Sequence, residues 1–374
     1  MLARAASPAV RRIAGAAIVL AAVSVVLGER NGRAGAEPPA PVLLVTRDIR
    51  GHLEPCECKD GVLGGFPRRA TVVRETRPAL LVDAGDMVYQ AAPFDLLRYR
   101  LMLELSVEMG LDAGLIGRRE AGFSADELVR VATDTGAPLV ATNLRRTNLQ
   151  PFLPTKIRIE RMGRPITILG LLSARAPLGE GLKLVDPRYA LETQLDILRD
   201  KPDFVILLSA LDARETERVL DGLEGVDLIV GGAVPRGTEK LETLAGVPCF
   251  LVEGKGQYLG RVDFDTSGER LVPVAGRRVP LGPEVAADPA VDRRIRAFQR
   301  SLEGLDLLGK RERKDGESPY LGAARHVLRS TQRSTATIRS RHTRTRSTRS
   351  RSTGAPSPRA SWARRPGQGC GVCP

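Results

Sequence analysis

Short apolar runs recur along the middle of the chain and set the pattern from which its fold is predicted. Eight runs rich in β-branched residues have the length of buried strands: Val42–Thr46, Ala79–Val82, Ala113–Ile116, Pro138–Ala141, Ile166–Leu171, Phe204–Leu208, Leu228–Val230 and Cys249–Val252. Stretches of helical period lie between several of them, namely Leu96–Met109, Ser124–Thr135, Ala190–Arg199 and Ala213–Leu223. Strands that alternate with helices predict an α/β fold with a largely parallel, helix-covered sheet.

Local signals add detail at one helix start and at the end of this pattern. Ser124 followed by Glu127 is a capping box, which supports a helix that begins there. After Asp265 the sequence is punctuated by Pro and Gly, and one helix is predicted over Asp288–Leu305. From about Arg325 onward the chain is rich in Arg, Ser and Thr and poor in aliphatic residues, so no structure is predicted there.

The first segment has the layout of a secretory signal peptide. Arginines precede the apolar run Ile13–Leu27, and the small residues Ala34-Gly35-Ala36 follow it. The run is shorter than the roughly 20 residues of a spanning helix, so cleavage after Ala36 is favoured over a permanent N-terminal anchor. The sequence therefore predicts a periplasmic or secreted protein.

The net charge of +13 lies at the two ends of the chain rather than in its middle. Twelve arginines and no acidic residue follow Glu317, and residues 1–36 carry five arginines against Glu29. Removing the +12 of the tail and the +4 of the leader leaves about −3 for residues 37–317. A nearly neutral body does not offer the basic face that nucleic-acid binding requires, so nucleic acid is not a predicted partner.

The loops after the predicted strands carry the candidate chemistry, because ligands of such folds bind at the carboxyl ends of strands. They read Thr46-Arg47-Asp48-Ile49-Arg50-Gly51-His52-Leu53-Glu54-Pro55, Asp83-Ala84-Gly85-Asp86, Gly117-Arg118-Arg119-Glu120, Leu208-Ser209-Ala210-Leu211 and Gly231-Gly232-Ala233-Val234-Pro235. Their order and strand context resemble the calcineurin-like metallophosphoesterases, in the 5′-nucleotidase branch that also includes dimanganese thiosulfohydrolases. The resemblance covers roughly Pro41 to Asp265 and implies a sandwich of β-sheets covered by α-helices.

The resemblance also implies where metals would bind. In that family two metals are held by an Asp-x-His pair, a bridging Asp, an Asn-His pair, a lone His and a Gly-His-x-His segment. Asp48 and Asp86 match the first and the bridging carboxylates. The remaining positions are taken by Arg50, Arg118-Arg119, Ala210, Ala233 and Pro235. Ala and Pro offer no ligand and Arg cannot be deprotonated, so we expect degenerate metal ligands and assign no catalytic residue.

Two other interpretations of these loops stay open. His52 would join Asp48 and Asp86 as a vestigial ligand that holds a single divalent metal. Alternatively, Arg50, Arg118 and Arg119 would bind an anion, or would form internal salt bridges with the two carboxylates.

The cysteines also allow two interpretations. Cys56 and Cys58 would form a soft-metal or redox site together with His52, or their thiols would form disulfides, one of them with Cys249. The absence of a second ligand pair at zinc spacing favours the disulfides. The final Cys370-Gly371-Val372-Cys373 is half of a c-type haem motif, but Pro374 stands where His is required, so haem is not supported.

Four segments are predicted: a signal peptide over 1–36, a 5′-nucleotidase-like domain over 37–275, a linker with one helix over 276–317, and a disordered tail over 318–374. Proteins that resemble this one often continue, after a segment like Ser318-Pro319-Tyr320-Leu321-Gly322, into a multihaem cytochrome domain. The tail is therefore either an ordinary basic extension or a truncated or frameshifted cytochrome region. Translation of the other two reading frames tests this, because Cys-x-x-Cys-His motifs are expected downstream of Gly322 if the frame has shifted.

These observations favour an exported pseudo-phosphoesterase that acts as a binding or accessory module. Its predicted partner is a small anion or a periplasmic protein. An active metal-dependent phosphoesterase or nucleotidase is the first alternative, and the remnant of a multihaem cytochrome fusion is the second.

Overall fold

The computed structural model describes residues 41–58, 61–234, 236–252 and 254–303. The predicted signal peptide, the tail and the terminal Cys-x-x-Cys lie outside these residues. The strands are β1 Val42–Thr46, β2 Cys56–Cys58, β3 Gly61–Leu63, β4 Leu80–Asp83, β5 Ala113–Leu115, β6 Leu139–Val140, β7 Leu144–Arg146, β8 Ile157–Arg161, β9 Arg164–Leu172, β10 Leu182–Leu184, β11 Phe204–Ala210, β12 Leu228–Gly231, β13 Glu242–Leu244, β14 Val247–Leu251, β15 Tyr258–Asp265 and β16 Val272–Pro280. The helices are α1 Phe66–Thr76, α2 Pro93–Glu108, α3 Ala125–Thr135, α4 Pro187–Leu198, α5 Ala213–Leu220 and α6 Pro289–Glu303.

Two six-stranded sheets form the frame of the molecule. The first has the order β16-β15-β1-β4-β5-β6, in which β1, β4, β5 and β6 are parallel and the two outer strands β15 and β16 are antiparallel. The second has the order β13-β14-β12-β11-β9-β8, with β9, β11, β12 and β14 parallel and an antiparallel strand at each edge. The predicted α/β sandwich of sheets covered by helices is confirmed.

The main core lies between the two sheets. Its buried residues include Leu43 and Val82 of the first sheet and Ile168, Ile206 and Leu208 of the second. Smaller apolar clusters fill the outer faces, one between the second sheet and helices α4 and α5, the other beside β1 and α1. Burial on both faces explains why the central strands read as continuous apolar runs instead of alternating patterns.

All eight predicted strands are present, and their ends differ from the prediction by at most two residues. The capping box of α3 is also present: Ser124 accepts a hydrogen bond from the backbone of Glu127, whose carboxylate accepts one from the Ser124 backbone. Helix α1 was not predicted, because Pro67 near its start and a cluster of basic residues hide its apolar face.

The folded body continues past the boundary that the sequence suggested at residue 275. Strand β16 crosses that residue and pairs with β15 along its whole length, and α6 packs against α1. Pro273 and Pro280 disguise this strand in the sequence, but an edge strand accepts proline because one row of its backbone groups has no partner strand. Among the described helices, none combines the length and apolar character needed to cross a membrane.

Candidate functional site

A cleft of ≈ 560 Å³ lies at the opposite end from the candidate loops, whereas a second cleft of ≈ 380 Å³ lies between those loops themselves. Loops after β1, β4 and β5 of the first sheet form one wall of this second cleft. Loops after β9, β11 and β12 of the second sheet form the other wall. Its lining residues are Arg47, Asp48, Arg50, Asp86, Arg118, Arg119, Ser173, Arg175, Ala210, Asp212, Glu215, Ala233 and Val234.

Three residues of the first wall have unusual backbone conformations, and its loops contact each other closely. Asp48, Arg50 and Asp86 have φ angles of 51°, 54° and 61°, in the left-handed region that non-glycine residues seldom occupy. The backbone N–H of Asp48 donates to the carbonyl of Gly85 at 2.8 Å, which ties the β1 loop to the β4 loop. A Cβ atom on Gly117 would lie 2.2 Å from the backbone nitrogen of Asp86, so only glycine permits this close approach.

Asp48 is paired with the guanidinium of Arg50 in a forked arrangement. Arg50 Nε lies 2.9 and 3.0 Å from the two carboxylate oxygens, and Nη2 lies 2.7 Å from Oδ2. The hydrogen bond to Asp48 is the main cause that raises the pKa of Arg50 above its ordinary value. The sequence predicted this pairing as one of its two interpretations of the arginines, and the structure contains it.

Asp86 is paired with Arg47, which was not among the predicted site residues. Arg47 Nη2 donates to Asp86 Oδ2 at 3.0 Å, and both side chains are buried, at 4% and 7% exposure. The backbone N–H of Arg119 donates to the other oxygen, Oδ1, at 2.9 Å. The Nε of Arg47 is buried and has no hydrogen-bond partner among the described residues.

The two arginines after β5 differ in how firmly they are held. Arg119 donates to the carbonyl of Tyr89, lies 5.6 Å from the centre of the Tyr89 ring, and places its Nε 3.6 Å from Asp48 Oδ1. Arg118 is exposed and makes no hydrogen bond or ion pair with another described residue. One guanidinium is therefore fixed against the wall, while the other projects from it.

Buried acids lie beneath this wall. Both oxygens of Glu120 accept backbone hydrogen bonds, from Asp86 at 2.9 Å and from Val88 at 2.8 Å. Burial, assisted by repulsion from Asp86, raises the pKa of Glu120 to about 8. Asp83 accepts hydrogen bonds from Thr46 and from the backbone of Gly85, yet burial raises its pKa to about 6.

The second wall contains residues that the sequence analysis did not single out. Ser173 and Arg175 follow β9, and Asp212 and Glu215 form the capping box at the start of α5. Only their position at the ends of parallel strands could have indicated them, since Asp212 with Glu215 matches an ordinary capping pattern.

The proposed vestigial metal ligands do not form a set. His52 does not line the cleft, and its pKa is lowered by burial and by the nearby cations Lys255, Arg98 and Arg50. In the part of the chain that the structure describes, no group of three or more His, Cys, Asp or Glu side chains is placed to hold a metal ion. A guanidinium cannot donate a lone pair, so the arginines that line the cleft are not metal ligands.

The cysteines give no support to a bond with Cys249. That residue is buried in β14 within the outer cluster of the second sheet, and it is not in a disulfide. Burial raises the pKa of its thiol to about 11. Cys56 lies in the β2–β3 hairpin, and the side chain of Cys58 lies outside the described residues.

Comparisons with known proteins find chains of similar sequence and fold. No model of a protein family matches the chain. Over 303 residues it is 25% identical to the snake venom 5′-nucleotidase of Naja atra, a match that covers 70% of this chain and 57% of the venom protein. The chain is a relative of the 5′-nucleotidase branch of the metallophosphoesterases. It spans about half the length of the curated relatives it matches.

Solved structures of this branch share the fold. The calcineurin-like phosphoesterase YfkN of Bacillus subtilis superposes with a TM-score of 0.59 at 16% identity, covering 71% of this chain and 98% of the other. The Thermus thermophilus sulfate thiohydrolase SoxB superposes with a TM-score of 0.61 at 15% identity, covering 72% and 62% of the two chains. Within this fold Ala210 and Ala233 line the cleft, whereas Pro235 lies outside the described residues.

Proposed function

We propose that this chain is an exported 5′-nucleotidase-like protein whose cleft binds a small oxyanion and does not hydrolyse phosphate esters through a two-metal centre. The pairing of Asp48 with Arg50 carries the proposal, because the fork engages both carboxylate oxygens. A divalent cation at Asp48 would have to displace this guanidinium and would then meet the charge of Arg119, 3.6 Å from the same carboxylate.

The charges that line the cleft favour an anionic ligand. Five arginines and four carboxylates face it: Arg47, Arg50, Arg118, Arg119, Arg175, Asp48, Asp86, Asp212 and Glu215. Two of the carboxylates are already matched one to one by Arg47 and Arg50. The first wall therefore carries excess positive charge on Arg118 and Arg119, of which Asp48 compensates only a part. The forked guanidinium of arginine matches the geometry of phosphate and sulfate.

A metal analysis tests the loss of the two-metal centre. We expect the purified chain, incubated with Mn²⁺ or Zn²⁺ and then desalted, to retain less than one equivalent and to leave p-nitrophenyl phosphate and AMP intact. Arg50→His, which restores an Asp-x-His pair, is expected to raise Mn²⁺ retention, while the exposed Arg100→Ala leaves it unchanged. Two retained equivalents with turnover that disappears in Asp86→Ala would establish the active phosphoesterase instead.

Anion binding and export have separate tests. Titration calorimetry with inorganic phosphate and sulfate should give saturable binding that weakens when Arg118 and Arg119 are both changed to Ala. N-terminal sequencing of the protein recovered from the periplasm or medium should begin at Glu37, after the small residues that end the leader. Recovery only from the cytoplasm with an intact N-terminus would contradict export.

A further inference from the structure

Arg175 stands on the second wall of the cleft and is loosely held. Its side chain is 72% exposed, and it lines the same cleft as the arginines of the first wall. The nearest carboxylate oxygens lie 3.7 Å from its Nε, on Glu215, and 3.9 Å from its Nη1, on Asp212. Both distances exceed the range of a charge-assisted hydrogen bond.

The two carboxylates near Arg175 also form the capping box at the start of α5. Asp212 Oδ1 accepts the backbone N–H of Glu215 at 2.8 Å, and Glu215 Oε2 accepts that of Asp212 at 3.3 Å. Glu215 Oε1 accepts the hydroxyl of Ser173 at 2.9 Å. Both acids lie close enough to Arg175, at 3.9 and 3.7 Å, to compensate part of its charge, but neither forms a direct hydrogen bond with it.

Across the cleft, the arginines of the first wall present the same chemistry. Arg118 is exposed and has no hydrogen-bond or ion-pair partner among the described residues, and Arg119 is anchored by its hydrogen bond to the carbonyl of Tyr89. Because the two walls belong to loops of different sheets, a ligand between them would be contacted from two directions. A guanidinium on each side suits a tetrahedral oxyanion with two negative charges better than it suits a monoanion.

We propose that Arg175 closes the site from the second sheet, and that the ligand is a dianionic tetrahedral oxyanion, phosphate or sulfate, free or as a monoester. This inference rests on the proposed function and extends it to a specific residue and ligand class. The cleft volume of ≈ 380 Å³ lies within the range of small-molecule sites, so it has space for the organic group of a monoester as well as for the oxyanion.

Titration calorimetry on the full chain tests this with four anions: inorganic phosphate, sulfate, glycerol phosphate and the monoanion nitrate. Arg175→Ala should weaken phosphate and sulfate binding about tenfold, the effect of one charge-assisted contact. Nitrate binding should change about threefold or less, because its single charge is satisfied by one wall. Arg214→Ala is the matched control, since Arg214 is an exposed arginine at the start of α5, between Asp212 and Glu215 in the sequence, and does not line the cleft.

The outcomes separate the two proposals. Oxyanion binding that is lost in the Arg118→Ala/Arg119→Ala double variant but unchanged in Arg175→Ala would overturn the role of Arg175 and leave the proposed function standing. An equal loss in Arg214→Ala would also overturn it. Absence of any oxyanion binding by the unaltered chain would overturn both. Tighter binding of glycerol phosphate than of phosphate would identify a monoester as the ligand, and the reverse would identify the free ion.

Discussion

Asp48 and Asp86 are each paired with a guanidinium, but the two pairs differ in burial. Asp86 and Arg47 are both almost fully buried, whereas Arg50, the partner of Asp48, is 38% exposed. Taking one member out of a buried pair leaves the other charge without compensation, which costs far more than losing an exposed pair. The pair between Arg47 and Asp86 should therefore contribute more to the stability of the fold than any ion pair on the surface.

A double-mutant cycle measures this coupling. We expect Arg47→Met and Asp86→Asn each to lower the free energy of unfolding by about 3–5 kcal/mol, because each leaves a buried group unpaired. The double variant should cost less than the sum of the two by about 1–3 kcal/mol. Urea unfolding followed by circular dichroism gives these values. The exposed pair Arg100–Glu104 serves as the comparison, with an expected coupling of about 0.5 kcal/mol or less. Strict additivity at Arg47 and Asp86 would show that the pair is not coupled.

Glu120 makes stability depend on pH. An unfolded glutamate ionises near its ordinary pKa of 4.5, whereas burial raises the pKa of folded Glu120 to about 8. Between these values the folded state holds a proton that the unfolded state has lost, so this stabilisation is complete below about pH 4.5 and is lost as the pH rises to 8. The free energy of unfolding should therefore fall between pH 5 and pH 8, and Glu120→Gln should make this fall smaller by about 1–3 kcal/mol.

The measurement is urea unfolding of both proteins at several pH values. Asp95, whose pKa burial raises to about 6, contributes to both curves and cancels in the difference. The exposed Glu75→Gln is the control and should leave the pH dependence unchanged. If the free energy of unfolding of Glu120→Gln changes with pH as steeply as that of the unaltered chain, the Glu120 carboxyl does not cause the pH dependence.

At the cleft, the sequence predicted which charged residues meet better than it predicted how they pair. The resemblance placed Asp48, Asp86 and three arginines on loops that meet, and the fork between Arg50 and Asp48 follows from opposite charges two residues apart. It did not place Arg47 against Asp86, because the left-handed backbone at Asp48 decides which side chains of that loop turn inwards. Arg175 was missed for a related reason, since nothing in its local sequence reveals that two sheets converge there.

At the scale of single elements, the starts of α3 and α5, the two helices with a capping box, were predicted to within one residue. Ser124 and Glu127 satisfy each other's backbone groups in α3, and this pattern can be read directly from the sequence. Helix α1 has no side-chain cap and begins at Gly65-Phe66-Pro67, so it carried no such signal. The edge strands β8 and β16 are only half-buried or exposed, which removed the continuous apolar pattern by which the central strands were recognised.

The cap of α3 can be tested by itself. Ser124→Ala should lower the free energy of unfolding by about 1 kcal/mol, because it removes the acceptor of the Glu127 backbone N–H. Ser124→Thr keeps that acceptor and should cost less. Urea unfolding of the two variants gives the comparison, and equal losses for Ala and Thr would show that the hydroxyl does not carry the stabilisation.

At the scale of the whole molecule, one apolar core joins the two sheets. Leu43, Val82 and Leu115 of the first sheet belong to the same buried cluster as Ile168 and Ile206 of the second. A close approach near the cleft strengthens this junction, since a Cβ on Gly231 would lie 2.6 Å from the Cβ of Ala84. Each sheet covers the inner face of the other. We therefore expect residues 41–303 to unfold as one cooperative unit.

Two adjacent leucines of β11 test this cooperativity, because both are fully buried but face opposite sides of the second sheet. Leu208 packs in the shared core and Leu207 in the outer cluster. Each change to Ala should cost about 2–5 kcal/mol. In Leu208→Ala, hydrogen exchange of the slowest amides should accelerate equally in β1 and β4 and in β9 and β11, since no sheet opens alone. Leu207→Ala should show the same global effect plus extra local exchange in α4 and α5, which rest on the outer cluster. Amides of β1 and β4 that keep their original protection in Leu208→Ala would show that the sheets unfold independently.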